Sequence, residues 1–245
     1  MFLIKHFVAS NIHLGHKINK WNPRTSNFIL GMKDNIFIID LEQTLIMIKR
    51  ALTFVKKICL NRGYIFYVPS FFSTQKDSKF RKENDSLKIR TNINNKIKSF
   101  PTNLRQGENN LIYISPEFIS SSKTRGMLYA FTQKRNNLYT FSSYTNISSN
   151  LDKNNSNLDF LNFFFKPEVL FLLDTNKNPA LIKESLKLQI PIIGILDSDS
   201  NIFGIRYPIP GNDDTLETQK LYTELLLNTI IDAKKKEAKL LLSNK

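Results

Sequence analysis

"EVLFLLDTNKNPALIKESLKLQIPIIGILD", Glu168 to Asp197, decides the fold. Between Glu168 and Asp174 its residues are apolar without alternation, the composition of a strand buried on both faces. Pro179, which suits the first turn of a helix, then opens an amphipathic segment from Asn178. "PIIGILD", Pro191 to Asp197, is the next buried strand. Strand, helix and strand in this order predict a parallel sheet.

The same grammar extends in both directions. "NIFIIDL" (Asn35 to Leu41) reads as a strand. Leu41, Leu45, Ile48, Leu52, Val55 and Cys59 follow at helical spacing, and "GYIFYV" (Gly63 to Val68) closes a βαβ unit. "NLIYIS" (Asn110 to Ser115) offers a further apolar run. A last helix is predicted from about Thr215, with Leu216, Leu221, Leu225 and Ile230 facing the core. The expectation is an α/β fold built on a doubly wound parallel sheet.

Two segments fall outside that pattern. Residues 73–106 hold nine basic and three acidic residues with weak periodicity, and read as a loosely ordered basic insertion. Residues 142–158 are rich in Ser and Asn. The divisions expected are 1–72, an N-terminal arm and the first βαβ; 73–109, the basic insertion; 110–137, a return to the α/β domain; 138–166; and 167–245, the C-terminal half with its last helix.

Charge narrows the partner. The chain has a formal net charge of +14, of which residues 1–137 carry +15 and residues 138–245 carry −1. A polyanion suits such a half. No long basic amphipathic helix suggests a membrane partner. The apolar start of the chain is broken by Lys5, His6, His13, His16 and Lys17, so neither a signal peptide nor an arginine-rich transit peptide is expected there. One cysteine, Cys59, excludes an internal disulfide and reads as core.

Doubly wound sheets commonly bind nucleotides, but the predicted strand ends carry "DLEQT", "PSFFS" and "DTNKN", without a glycine-rich phosphate loop. No small-molecule substrate or cofactor is expected. Asp174, Asp197 and Asp199 stand where α/β active sites sit, yet short polar residues there also cap the helices that follow. Asp213 and Asp214 follow the Pro210-Gly211 turn and are read the same way, with Asn212 or Asp213 as cap. His13 and His16 in "HLGH" are spaced for a shared metal, but without a matched carboxylate or cysteine nearby in sequence no metal is assigned. An enzyme using Asp174, Asp197 or Asp213 remains the rival reading, as does a free RNA-binding regulator.

RNA is the partner the residues favour. "HKINKWNPRTSNF" interleaves His16, Lys17, Lys20 and Arg24 with Trp21, Asn22 and Phe28, and "SSKTRGMLYAFTQKRNN" adds Lys123, Arg125, Lys134 and Arg135 with no acid among them. Lys33 lies a few residues beyond the first group. Lysine and arginine meet phosphates here, while His16 and Trp21 pack or stack.

These stretches resemble the bacterial and organellar ribosomal small-subunit protein two family. The likeness rests on His13-Leu14-Gly15-His16, Trp21-Asn22-Pro23-Arg24 and Ile38-Ile39-Asp40-Leu41 near the start. Pro191 to Asp197 and Ile209-Pro210-Gly211-Asn212-Asp213-Asp214 match near the end. The middle motif survives only as Lys123 to Phe131. The resemblance implies a flavodoxin-like sheet with an inserted helical hairpin, reduced here to residues 138–166. It also implies contacts with small-subunit rRNA and neighbouring ribosomal proteins, and no catalysis. The eroded middle and a composition rich in Asn, Ile, Lys and Phe suggest a mitochondrion-encoded member, with a plastid as the alternative.

Overall fold

The computed structural model describes residues 2–68, 111–113, 128 and 167–243. Five strands form a parallel sheet: β4 (Tyr64–Val68), β5 (Leu111–Tyr113), β6 (Pro167–Leu172), β7 (Ile192–Leu196) and β8 (Tyr207–Pro210). Their order across the sheet is β5-β4-β6-β7-β8. Numbered within the sheet alone, that is 2-1-3-4-5, the flavodoxin-like arrangement.

Successive residues of the central strands face opposite sides, and each side has its own core. Ile65, Tyr67, Val169, Phe171, Ile193 and Ile195 join one cluster with residues of α2 (Leu41–Leu60) and α4 (Leu216–Ser243). Phe66, Val68, Leu170, Leu172, Ile192 and Leu196 join the other with Leu181 and Ile182 of α3 (Pro179–Lys187). Burial on both faces is why these strands are apolar along nearly their whole length, the exposed Glu168 near the start of β6 excepted. Leu128, the one described residue of the middle motif, is fully buried in the second cluster.

Helix α2 begins where the sequence places it, because Asp40 caps it: its Oδ1 accepts from the Glu42 backbone N–H at 2.9 Å. Pro179 opens α3 as expected. The last helix is capped by Thr215, whose Oγ1 accepts from Thr218 N–H at 3.3 Å. Asn212 instead closes a local turn to Asp214 N–H at 2.8 Å. The Asp213-Asp214 pair therefore does not cap α4.

One strand belongs elsewhere than the sequence pattern suggests. The run "NIFIIDL" does contain a strand, β3 (Ile36–Ile39), but it pairs antiparallel with β1 (Leu14–Lys17) and β2 (Ile29–Lys33) in a separate sheet of order β1-β3-β2. The expected βαβ unit of residues 35–68 is thus not a unit of the parallel sheet, which starts at β4. The cause is local: Asp34 and Asn35 both adopt positive φ, 52° and 61°. Two such residues make the tight hairpin that folds β3 back on β2 before α2 begins.

Strand β8 carries no strand signal in the sequence, because Pro208 and Pro210 interrupt it. Among the described residues it lies at the sheet edge with β7 as its sole neighbour, where proline is tolerated. Before β1 runs α1 (Phe2–Ala9), whose Phe7 enters the α2/α4 core. The insertion 73–109, residues 138–166 and most of 110–137 lie outside the described residues. Among the described residues, no helix is long and apolar enough to cross a membrane.

Candidate nucleic-acid interface

The N-terminal arm and the loop after β7 are far apart in sequence and interlocked in space. Ser198 organises the contact. Its Oγ accepts from His16 N–H at 2.7 Å, and its carbonyl accepts from Asn22 N–H at 3.0 Å and Thr25 Oγ1 at 2.9 Å. Asn22 adds a side-chain bond, Nδ2 to the Ser200 carbonyl at 3.0 Å, while its Oδ1 accepts from Arg24 N–H at 3.1 Å. Arg24 Nη1 donates to Asn201 Oδ1 at 3.1 Å. The arm is held by backbone and side chain together.

Gly15 makes that approach possible. A Cβ there would lie 2.8 Å from Ser198 Oγ and 3.1 Å from Asp197 Oδ1. Gly211 plays the matching part on the other side, since its Cβ would fall 2.0 Å from the Tyr222 hydroxyl. The two glycines of the two family motifs thus permit close packing at the carboxyl ends of β7 and β8.

His16 fills the acidic centre so created. Its Nδ1 lies 3.1 Å from Asp197 Oδ2, and its Nε2 lies 3.1 Å from Asp214 Oδ2 and 3.8 Å from Asp199 Oδ2. Bonds to Asp197 and then Asp214 push the imidazole up to about 11, against the opposing effect of burial. It is a cation at neutral pH. The same bond holds Asp214 below the usual carboxylate range. Burial, followed by the neighbouring Asp197 and Asp174, raises Asp213 well above it. Asp174 pairs with Lys177 Nζ at 2.8 Å and also accepts from the Lys177 backbone N–H at 3.0 Å.

The carboxylates that invite an enzymatic reading are therefore engaged in the arm and in local turns. His16, Asp197 and Asp214 each offer one ligand atom, all within 4.8 Å of one another. A divalent ion would need His16 to release a proton that two carboxylates hold. Sequence spacing alone misses this cluster, because the partners of His16 come from beyond residue 196. The matching signal was the pairing of an N-terminal and a C-terminal motif in one chain.

The outward-facing groups are different ones. Lys17, Lys20, Trp21, Arg24 and Lys33 are exposed, whereas Asn22 and His16 are partly buried by the contacts above. Lys17 and Lys33 flank Ile36 on opposite sides in the three-stranded sheet. Trp21 lies against Phe37, ring centroids 5.3 Å apart and tilted by 35°. Lys123, Arg125, Lys134 and Arg135 lie outside the described residues.

Residues 7–233 match the family described as ribosomal protein S2. Similar proteins named small ribosomal subunit protein uS2 occur in Ehrlichia chaffeensis, 30% identical over 244 residues and covering 95% of this chain and 76% of that one. That of Acidiphilium cryptum is 28% identical over 231 residues, covering 94% and 85%. That of Rickettsia typhi is 27% identical over 244 residues, covering 93% and 74%. A family match spanning both interlocked motifs makes this chain a member of the ribosomal protein S2 family, a structural ribosomal protein and not an enzyme.

Proposed function

We propose that the chain is a structural constituent of the mitochondrial small ribosomal subunit and binds small-subunit rRNA and neighbouring ribosomal proteins there. The observation that carries the reading is the separation of charge. At the strand ends the buried Asp197 and the exposed Asp214 are both paired with His16, while Lys17, Lys20, Arg24 and Lys33 face solvent on the arm. A surface of that kind meets a phosphate backbone. Lys123, Arg125, Lys134 and Arg135 belong to the same proposed basic set, with His16 and Asn22 holding the arm in place behind it.

The mitochondrial assignment rests on composition and on the eroded motif at Lys123 to Phe131. The relatives named above are bacterial proteins, so a bacterial-type ribosome is the context.

Filter binding of the full chain to small-subunit rRNA at several salt concentrations tests the interface. The Lys20→Ala, Arg24→Ala double variant should flatten the plot of log affinity against log salt by about one unit per lost phosphate contact. An unchanged slope and affinity would remove these two residues from the interface.

A further inference from the structure

The arm presents an aromatic surface that internal packing leaves uncovered. Trp21 is 37% exposed, although Asn22 and Thr25, one and four residues later, are bound to the loop after β7. Its backbone is fixed as well: Trp21 N–H donates to the Ile18 carbonyl at 3.1 Å. A large apolar side chain on an anchored backbone loses little further freedom when something covers it. Phe37 supports one side of the indole, and Met32, 58% exposed, sits directly opposite Phe37 across the β2-β3 ladder. Cross-strand partners share a face, so the indole, the phenyl ring and the thioether form a continuous platform. Among the described residues β2 is an edge strand, which leaves that side of the platform open.

Charge identifies the occupant. Lys20 directly precedes the indole, Lys17 and Lys33 sit opposite Ile36 on the other face of the same small sheet, and no acid occurs in residues 1–33; the first is Asp34 at the hairpin tip. An apolar partner protein needs no such rim. Duplex RNA keeps its base faces stacked, so it would use the lysines and leave the indole untouched. Unpaired RNA uses both, with bases on the aromatic face and phosphates on the cations.

We infer that Trp21, backed by Phe37 and flanked by Met32, is a stacking platform for an unpaired base of the RNA that the arm binds. The inference rests on the rRNA-binding reading above and adds the class of RNA and the group that grips it. Lys20, next to the indole, supplies the accompanying phosphate contact, and the hold of Asn22 on the β7–β8 loop keeps the indole in position.

Trp21 is the single tryptophan of the chain, so its fluorescence reports on this site alone. The full chain is titrated with an unstructured oligoribonucleotide and, separately, with a duplex of equal length. Quenching by the single strand and not by the duplex is expected. Trp21→Ala should weaken single-strand binding about 10-fold with an unchanged salt slope, and Trp21→Phe should restore most of the loss. Met32→Asp, on an exposed site, checks the platform without risk to the core and should weaken binding as well. Tight, salt-dependent binding with unaltered fluorescence and a Trp21→Ala variant equal to the wild type would overturn the platform and leave the phosphate contacts standing. Absence of binding to any RNA, small-subunit rRNA included, would overturn both readings.

Discussion

His16 is the residue on which the two ends of the chain depend. Its imidazolium neutralises carboxylates that would otherwise repel one another, and Asp197 is the most deeply buried of them. Removing one partner of a buried pair strands the other, so His16→Gln should cost about 3 kcal/mol in urea unfolding. The pH dependence has a definite sign. A histidine raised from 6.5 to about 11 gives its full stabilisation below 6.5 and loses it as pH climbs through 11. The gap in Tm between wild type and His16→Gln should be widest near pH 6 and close towards pH 11; a gap constant over that range would contradict the ion-paired imidazolium. Gly211 offers a second test. Gly211→Ala forces a methyl against the Tyr222 hydroxyl, and overpacking of this kind costs about 1–3 kcal/mol. Among the described residues that buried hydroxyl has no hydrogen-bond partner. Tyr222→Phe should therefore recover part of the loss in a double-mutant cycle, whereas strict additivity would locate the strain elsewhere.

Among elements, those with a period were legible and those made by tertiary contact were not. β6, α3, β7 and α2 follow directly from apolar runs, helical spacing and caps. β3 was legible as a strand but not in its pairing, since its partners are short and β1 and β2 contain glycine and charge. β8 was hidden by its prolines. The candidate site divides in the same way: the basic residues are visible in sequence, but the partners of His16 and Asn22 are set by the loop after β7. Asn22 carries the clearest element-scale consequence. Asn22→Ala removes the bond to Ser200 and the one accepted from Arg24 N–H, each worth about 1 kcal/mol. Hydrogen exchange should quicken across β1 and the following turns while α2 and the parallel strands keep their protection. Uniform acceleration throughout the chain would mean that the arm and the sheet unfold as one.

At the scale of the whole molecule, a flavodoxin-like sheet has its β7 and β8 carboxyl ends covered by the chain's own arm. In many doubly wound proteins the carboxyl ends of the strands form the ligand crevice. Here the acidic ends become a clamp, and the clamp turns a basic, aromatic surface outward. Association with a ribosomal subunit is the natural use of such a surface. The most direct measurement is sedimentation of a lysate of the source cells through a sucrose gradient in magnesium buffer, following this protein by fraction. Cosedimentation with the small subunit, lost when magnesium is chelated, is the predicted result; a peak confined to the free protein at the top would contradict the account.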